Sequence, residues 1–474
     1  MSFLSRCALA LSCLVLGTAV AQTIPLEITT ALARARVPQD AVSLLVMRLD
    51  GAASARLSHR AQASMSPASV MKLVTTFAAL DQLGPAFTWK TRFYIDGTLD
   101  NGVINGNLVI RGGGDPKWVI ERIEADFKAL QQRGVREVRG DIVLDSSVFD
   151  VAPRDPGEFD GEPMRPYNSA PDGLLVNFKA VILSFTPDPV NHTARVTSEP
   201  PMAGLVIDSS VAMNSDDCAD WRGALRADFS DVNRISFNGN YSVRCGEQVW
   251  PVAYIDPSSY ARRVVAALYT ASGGVLGGSV REGRTPHTAR LILKVPSLPL
   301  SDIIADVNKY SNNVMAQQVF LTLSAQKRGK GTFAASREVV GRWWRETFAA
   351  TGAKPPVLDN GSGLSRSGRI SAQSLGQLLR TAAAHPAASV FAQSLSIAGV
   401  DGTAARMRER GTTPEALGNA QLKTGTLRDV AAVAGYATGR SGRRYAVVGL
   451  INHPNAPAAR PALDALVEWT VKDQ

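Results

Sequence analysis

The sequence of 474 residues has little cysteine and histidine, and it has no long apolar run beyond its first residues. Four cysteines are too few for a disulfide-stapled miniprotein, and five scattered histidines form no Cys/His cluster with metal-ligand spacing. No later stretch reaches the roughly 18 consecutive apolar residues of a membrane span, which excludes a polytopic membrane protein. Long Lys/Arg runs interleaved with aromatic residues are also absent, so nucleic-acid binding is not supported. We expect no metal site and no cofactor.

The composition that is present is that of a globular protein. Hydrophobic residues make up 45% and charged residues 20%, which suffices for a large core and excludes a disordered or collagen-like chain. At about 150 residues per domain, the length suggests about three domains.

Residues 1–21 have the pattern of a secretory signal peptide. Arg6 precedes the apolar run Cys7–Leu16, and Ala19-Val20-Ala21 supplies an A-x-A cleavage site. We predict cleavage after Ala21 and a periplasmic location; an uncleaved anchor is disfavoured because the apolar run is short. Removing this segment lowers the formal net charge of +9 by one. The remaining positive excess favours anionic surroundings such as a cell wall, and it is compatible with peripheral contact with a membrane surface.

Two cysteines remain after cleavage, Cys218 and Cys245. In an oxidising compartment the default for such a pair is one disulfide, and the alternative is two buried thiols.

Helical patterns at both ends of the chain flank a strand-rich middle. The spacing predicts a strand over Val42–Leu49 and a helix over Ser69–Leu83, and residues 176–255 are mostly β. A short strand is predicted over Gly277–Val280, and helical patterns return after Leu300. Three strands and a last helix follow, and they are predicted over Gln421–Leu427, Ala432–Ala437, Tyr445–Ile451 and Ala459–Val471.

Three short motifs occur in a fixed order. They are Ser69-Val70-Met71-Lys72, Ser311-Asn312-Asn313 and Lys423-Thr424-Gly425, the last extended by Thr426. Single motifs of this kind arise by chance, since a second S-x-x-K begins at Ser324 and a second S-x-N at Ser236. The ordered triple behind a signal peptide is much more specific.

The first motif suits nucleophilic catalysis without histidine. A serine hydroxyl needs a base to take its proton, and Lys72 lies one helical turn from Ser69. The helix N-terminus at Ser69 favours a developing oxyanion. For Lys72 to act as base, its pKa must fall from about 10.4 towards 7–8. Burial and a second cation, for which Lys423 is the candidate, lower a lysine pKa.

The sequence resembles the low-molecular-mass class C penicillin-binding proteins, a serine peptidase family of D-alanyl-D-alanine carboxypeptidases and endopeptidases. The resemblance spans nearly the whole mature chain. Besides the triple, the family-like blocks are Gly112–Pro116, Gly140–Asp145, Tyr167–Pro171, Leu174–Asn177, Asp359–Arg366 and Ala398–Thr403. It implies an α/β fold: a penicillin-binding/β-lactamase-like α-β-α transpeptidase domain with two inserted β-rich domains.

The resemblance also implies a role for each motif residue. Ser69 would attack the carbonyl of the terminal D-Ala-D-Ala bond or of the D-Ala–diaminopimelate cross-link, and Lys72 would take its proton. Ser311 would relay the proton to the leaving amine, with Lys423 tuning the network. The same acyl-enzyme would form with a β-lactam, so the expected partners are peptidoglycan stem peptides and β-lactam antibiotics.

Substrate contacts are implied for the rest of the motifs. Asn313 would hold a substrate amide, and Thr424, Gly425 and Thr426 would line the site, with the two threonine hydroxyls on the terminal carboxylate. The N–H groups of Ser69 and Thr426 would form the oxyanion hole.

Two points depart from the family pattern or stay open within it. Asn312 stands where many relatives carry Asp, at a position that faces away from the substrate in the family. In relatives an acidic residue of the inserted domain contacts the diaminopimelate side chain. Glu158, Asp160 or Glu162 would serve here, and the sequence does not choose among them.

The motif positions predict an interrupted catalytic domain. We expect a signal peptide at 1–21, catalytic parts at 22–85 and 296–474, an inserted domain at 86–175 and 251–295, and a nested β-rich domain at 176–250 carrying the cysteine pair. A β-lactamase-type hydrolase is the first alternative, disfavoured because those enzymes lack a long insert between the first two motifs. A non-catalytic cell-wall or β-lactam-binding protein is the second, disfavoured by intact Ser69, Lys72 and Lys423.

Overall fold

A computed structural model describes residues 23–51 and 54–473, so the predicted signal peptide lies outside the described residues. The helices are α1 (Leu26–Arg34), α2 (Lys72–Leu83), α3 (Ile120–Gln132), α4 (Trp221–Ala224), α5 (Pro257–Ala271), α6 (Leu300–Lys309), α7 (Asn313–Arg328), α8 (Phe333–Thr347), α9 (Ala372–Ala383), α10 (Ala388–Gln393), α11 (Arg406–Glu409) and α12 (Arg460–Val471).

The described chain contains 23 strands. They are β1 (Val42–Arg48), β2 (Leu57–His59), β3 (Ser64–Met65), β4 (Lys90–Asp100), β5 (Val103–Arg111), β6 (Glu137–Val138), β7 (Ile142–Asp145), β8 (Ala180–Asp188), β9 (Thr193–Glu199), β10 (Val206–Ile207), β11 (Ser210–Asn214), β12 (Ala227–Asp228), β13 (Arg234–Phe237), β14 (Asn240–Ser242), β15 (Gln248–Ala253), β16 (Val275–Leu276), β17 (Val280–Glu282), β18 (Arg290–Pro296), β19 (Ile370–Ser371), β20 (Ser396–Ile397), β21 (Ala420–Leu427), β22 (Val430–Thr438) and β23 (Arg444–Asn452).

Both ends of the chain build one six-stranded antiparallel sheet in the order β2-β1-β23-β22-β21-β20. Helices cover both of its faces. One apolar cluster joins the sheet to α2, α6, α7, α8 and α9, and another joins it to α1 and α12. The central strands are therefore buried on both sides, which is why β22 is an uninterrupted apolar run instead of an alternating one.

The middle of the chain forms separate sheets with an apolar cluster of its own. A seven-stranded sheet contains β4, β5, β6, β7, β16, β17 and β18, and α3 and α5 pack beside it. A five-stranded sheet runs in the order β14-β11-β9-β8-β15, next to a three-stranded sheet of β10, β13 and β12. The outer part of the insert thus contains helices as well as strands, and it shares one continuous apolar cluster with the nested part. The domain boundaries stay a prediction.

Two local predictions were wrong in detail. The helix predicted over Ser69–Leu83 is divided, because a 3-10 turn over Ala68–Met71 follows Pro67 before α2 begins at Lys72. The strand predicted over Gly277–Val280 has the wrong bounds, because β16 ends at Leu276 and β17 begins only at Val280. A 3-10 turn stacks residues i and i+3 directly above each other, which aligns Ser69 with Lys72 more closely than an α-helix would.

No helix within the described ranges is both long enough and apolar enough to cross a membrane. In the nested part, Cys218 and Cys245 form a disulfide with an S–S distance of 2.05 Å.

We expect loss of the disulfide to destabilise the nested part of the insert. Closing a loop over a sequence separation of 27 residues lowers the conformational entropy of the unfolded chain, which stabilises the folded state by about 3.5 kcal/mol. The double variant Cys218→Ser/Cys245→Ser should therefore melt at a lower temperature in calorimetry, while it still reacts with penicillin at 25 °C, since its cysteines lie outside the motifs. An unchanged melting profile would contradict this prediction.

Candidate active site

Ser69 and Lys72 are in direct contact. The 3-10 turn places Ser69 Oγ 2.9 Å from Lys72 Nζ, and the lysine side chain is fully buried. Pairing a hydroxyl with a buried amine is the arrangement that lets the amine accept the hydroxyl proton.

Two further partners fix the amine of Lys72. Its Nζ lies 2.6 Å from Asn313 Oδ1 and 2.7 Å from the carbonyl oxygen of Ser362. Both of these oxygens can only accept hydrogen bonds. A neutral amine has two N–H donors, which these two acceptors use, so its one lone pair is left for the Ser69 hydroxyl. An ammonium group would donate to all three oxygens, whereas a neutral Lys72 held in this way has the form of a general base.

The electrostatics favour the same protonation state. Burial, assisted by the positive charge of Lys423, holds the pKa of Lys72 well below its usual range. No carboxylate is among the described hydrogen-bond or ion-pair partners of Lys72. A buried lysine without a carboxylate loses its proton because the charged form is poorly solvated there.

Lys423 is the second buried lysine of the site. Its Nζ lies 2.9 Å from Ser311 Oγ and donates to the carbonyl of Thr424 at 2.8 Å. Burial lowers the pKa of Lys423 to about 7. The site thus holds two serine–lysine pairs, Ser69 with Lys72 and Ser311 with Lys423.

The glycine of the third motif, Gly425, allows β21 to lie close to the turn before Ser69. A Cβ at Gly425 would stand 2.5 Å from the carbonyl oxygen of Pro67 and 3.2 Å from the nitrogen of Ser69. Gly363 approaches from the other side, since its Cβ would meet the carbonyl oxygen of Ala68 at 1.9 Å. The turn before Ser69 is therefore held between two glycine-bearing segments, and only glycine fits at either position.

Threonine hydroxyls and one edge of β21 lie beside the Ser69–Lys72 pair. Thr424 Oγ1 lies 2.7 Å from Thr403 Oγ1. β20 pairs with β21 only at Gln421 and Leu422, so the remainder of this edge carries no strand in the described chain. The edge can receive an extended peptide by main-chain hydrogen bonding.

All predicted motif residues meet at this centre, and their contacts refine several expectations. Asn313 uses both ends of its carboxamide on the protein, because Nδ2 also donates to the carbonyl of Tyr167 at 3.3 Å. Asn312 points elsewhere: its Oδ1 caps α7 by accepting from the Met315 N–H at 3.0 Å. Asn312 is thus a helix cap, a role that Asp fills equally well.

Sequence reasoning gave no role to three residues at the centre. Ser362 contributes only its backbone carbonyl, so no side-chain pattern could identify it. Asn360 holds that loop by accepting from the N–H and hydroxyl of Ser362. Thr403 contacts Thr424 from the block Ala398–Thr403. The sequence blocks that contain these residues resemble family blocks, but the sequence does not show which contacts the residues make.

Two cavities adjoin the centre. One, of 380 Å³, is lined by Ser69, Ser311 and the threonines of the third motif. The other, of 670 Å³, lies between the insert and the catalytic part, and Glu158, Phe159, Tyr167, Gln317 and Arg366 are among its lining residues.

The three acidic candidates of the insert differ in their surroundings. Glu158 lines the larger cavity. Asp160 accepts from the Tyr167 hydroxyl at 2.8 Å and from Asn168 at 2.9 Å. Glu162 pairs with Arg165 at 3.2 Å.

Comparison with known proteins gives one consistent relationship. The profile of the D-Ala-D-Ala carboxypeptidase 3 (S13) family matches residues 26–473. A D-alanyl-D-alanine carboxypeptidase DacB from Haemophilus influenzae is 25% identical over 392 residues, which is 82% of this chain and 80% of that protein. A D-alanyl-D-alanine carboxypeptidase from an Actinomadura species is 27% identical over 417 residues, covering 84% of this chain and 76% of that one.

The fold has solved counterparts. The crystal structure of penicillin binding protein 4 from H. influenzae matches with a TM-score of 0.74 at 22% identity, over 94% of this chain and 100% of that one. A second structure of that protein, complexed with a novel β-lactam, matches with a TM-score of 0.71 over 94% of this chain and 98% of that one. The predicted class, a penicillin-binding α/β fold, is confirmed.

The substitution Asn313→Asp should move the pH dependence of acylation. A carboxylate at the position of Asn313 Oδ1, 2.6 Å from Lys72 Nζ, favours the ammonium form and raises the pKa of Lys72. The rate of acylation by penicillin should fall at least tenfold near neutral pH and recover as the pH rises. Stopped-flow acylation across a pH series measures this shift.

Asn312→Asp is the matched control, because it adds the same charge one residue away at a helix cap. It should leave the acid limb of the pH profile in place. Equal displacement of the limb by both variants would contradict a specific Lys72–Asn313 contact.

Lys423 should oppose folding, and more so as the pH falls. Its pKa is about 7 in the folded protein and about 10.4 in the unfolded chain. Below pH 10.4 the unfolded state therefore binds more protons than the folded state. The destabilisation of the folded state by Lys423 grows as the pH falls, until the pH reaches about 7. The substitution Lys423→Met should therefore raise the free energy of unfolding at both pH values, by about 3 kcal/mol more at pH 7 than at pH 9.5. Denaturant titrations of both proteins at the two pH values measure this difference.

The hydrogen bonds from Lys423 to Ser311 and Thr424 are lost in the variant at either pH. The difference between the two pH values therefore isolates the protonation effect. The same change in unfolding free energy at pH 7 and pH 9.5 would show that Lys423 keeps an ordinary pKa.

Proposed function

The chain belongs to the D-Ala-D-Ala carboxypeptidase 3 (S13) family, and from this membership together with the geometry of the cleft we propose that it is a serine D-Ala-D-Ala carboxypeptidase with Ser69 as its nucleophile. One observation carries the proposal above the others: Ser69 Oγ lies 2.9 Å from the amine of a fully buried lysine. In the neutral form of that amine, the other two partners accept hydrogen bonds from its two N–H groups, which leaves its lone pair for the Ser69 proton.

The reaction follows from the two serine–lysine pairs. Lys72 takes the proton as Ser69 Oγ bonds to the carbonyl carbon of the penultimate D-alanine. The N–H groups of Ser69 and Thr426 stabilise the oxyanion, a contribution of roughly 3–4 kcal/mol for each donor. Ser311, beside Lys423, passes a proton to the amine of the departing D-alanine. Water then releases the acyl-enzyme by the same base.

Substrate binding is proposed along the open edge of β21. The substrate backbone would add beside Lys423–Thr426 as an extended strand, with its terminal carboxylate on the hydroxyls of Thr424 and Thr426. A β-lactam would open on Ser69 in the same orientation. Asn313 would turn one end of its carboxamide to the substrate amide while it keeps Lys72 in place.

The larger cavity suits the side chain of the stem peptide. Glu158 is the member of the three acidic candidates that lines this cavity, and Arg366 lies over the ring of Phe159 at 4.6 Å. A carboxylate and a guanidinium in one cavity complement an amino acid side chain that carries both an ammonium and a carboxylate, as diaminopimelate does. We propose Glu158 as the contact for the ammonium group.

The substrate class and the predicted signal peptide support one location. Peptidoglycan is assembled outside the cytoplasmic membrane, so we propose that residues 1–21 direct the protein to the periplasm.

Replacement of Ser69 by alanine should abolish the reaction without unfolding the protein. The wild type should release D-alanine from a pentapeptide ending in D-Ala-D-Ala, and fluorescent penicillin should label it covalently. Ser69→Ala should lose both, because no other hydroxyl lies beside Lys72 Nζ within the described hydrogen bonds. D-alanine release and gel fluorescence measure the two outcomes.

Ser324→Ala supplies the control, since Ser324 begins the other S-x-x-K of the chain, in the middle of α7. This variant should still be labelled. Labelling that survives in Ser69→Ala would contradict the assignment of the nucleophile. Sustained rapid hydrolysis of nitrocefin by the wild type would instead favour a β-lactamase.

A further inference from the structure

The cavity at Ser69 continues into a pocket whose cations have no part in the chemistry described so far. Beyond Thr426 it is lined by Arg406, Arg410 and Arg460, with Asp464 as its one acidic residue. These four residues are called the arginine pocket. They come from α11 and from the N-terminal turns of α12, together with Arg410, which follows α11.

One arginine of the pocket is neutralised. Arg410 and Asp464 form a bidentate ion pair, with Nε–Oδ2 at 2.6 Å and Nη2–Oδ1 at 2.8 Å. Both oxygens of the only carboxylate are therefore engaged. This pair is a structural anchor between α12 and the segment after α11. Among the described contacts, the Asp464 carboxylate accepts a hydrogen bond from neither of the other two arginines.

Arg406 and Arg460 have no carboxylate partner in the part of the chain that the structure describes. Arg406 is exposed, and Arg460 donates only to a neutral hydroxyl, Thr426 Oγ1, at 3.3 Å. Burial and the charges of Arg410 and Arg406 lower the pKa of Arg460, as expected for like charges held close together. Two unpaired guanidinium groups facing one cavity form a site that an anion would stabilise.

The position of the pocket relative to Ser69 indicates which anion. Thr426 is the residue proposed above to hold the terminal carboxylate, and Arg460 touches its hydroxyl. The pocket therefore lies on the side of the cleft that receives the leaving group. A departing D-alanine carries one carboxylate, whereas the peptide that departs when a cross-link is cut carries a carboxylate beside the reacting amine and others along the same stem.

We propose that Arg406 and Arg460 form a subsite for the carboxylates of the leaving group, and that this subsite favours cross-linked peptides over terminal D-alanine as substrates. The proposal rests on the proposed function and deepens it by assigning the residues that discriminate between the two leaving groups. Arg460 binds the carboxylate nearest the scissile bond, which both leaving groups have. Arg406 binds a second carboxylate, which only the longer leaving peptide has.

The test compares two substrates in the same enzyme. kcat/KM is measured for D-alanine release from a pentapeptide and for cleavage of a purified cross-linked muropeptide dimer. Arg406→Gln should lower the ratio of dimer to pentapeptide kcat/KM about tenfold, mainly through KM, because a hydrogen-bonded charge contact is lost. Arg460→Gln should lower kcat/KM for both substrates.

Arg342→Gln is the matched control. Arg342 is an exposed arginine on α8 and does not line the cavity, so its loss changes the net charge equally. It should leave both rates and their ratio unchanged.

Each outcome bears on a distinct claim. An unchanged ratio in Arg406→Gln, an equal fall in Arg342→Gln, or a wild type that releases D-alanine but leaves the dimer intact would overturn the subsite alone. A wild type that acts on neither substrate would overturn the proposed function and the subsite with it.

Discussion

The burial of Lys72 without a neutralising carboxylate is the constraint on which the site depends. A lysine in such surroundings loses its proton, and the amine becomes useful only if its two N–H bonds are aimed away from the nucleophile. Asn313 and the carbonyl of Ser362 provide those two acceptors. They come from α7 and from the loop after α8, so the base forms only when three distant segments of the chain are packed together.

The backbone around the nucleophile is held in conformations that the local sequence does not favour. Ala68 has φ of 46° and Ser311 has φ of 59°, and each such residue costs on the order of 1–3 kcal/mol. The neighbours of Ala68 keep it there: Gly363 and Gly425 lie against the turn before Ser69. Buried lysines and strained turns oppose folding, and the two apolar clusters on either face of the six-stranded sheet offset that cost. The helix-covered sheet is thus the support that makes an unfavourable site stable.

Much of the fold and of the chemistry could be predicted from the sequence. The ordered motifs identified the two serines and two lysines of the site, although only the Ser69–Lys72 contact was predicted as a pair. Apolar runs located the central strands, because a strand buried on two faces needs no alternation. The 3-10 turn at Ser69 was missed since its pattern is the same as the first turn of a helix. Ser362 was missed because it acts through its carbonyl, and Arg406 and Arg460 were missed because they lie more than fifty positions apart in the chain.

The two cavities that adjoin the active centre are lined by different parts of the molecule. The insert reaches the centre through Tyr167, whose carbonyl accepts from Asn313, and it contributes Glu158 to the larger cavity. The opposite side is formed by the catalytic part alone, through Thr426 and the arginine pocket. Under the proposed function, changes in the insert would alter which stem peptide is accepted while Ser69 and Lys72 stay fixed. Changes at α12 would act on the leaving group, because Arg460 connects that helix to the strand beside Ser69.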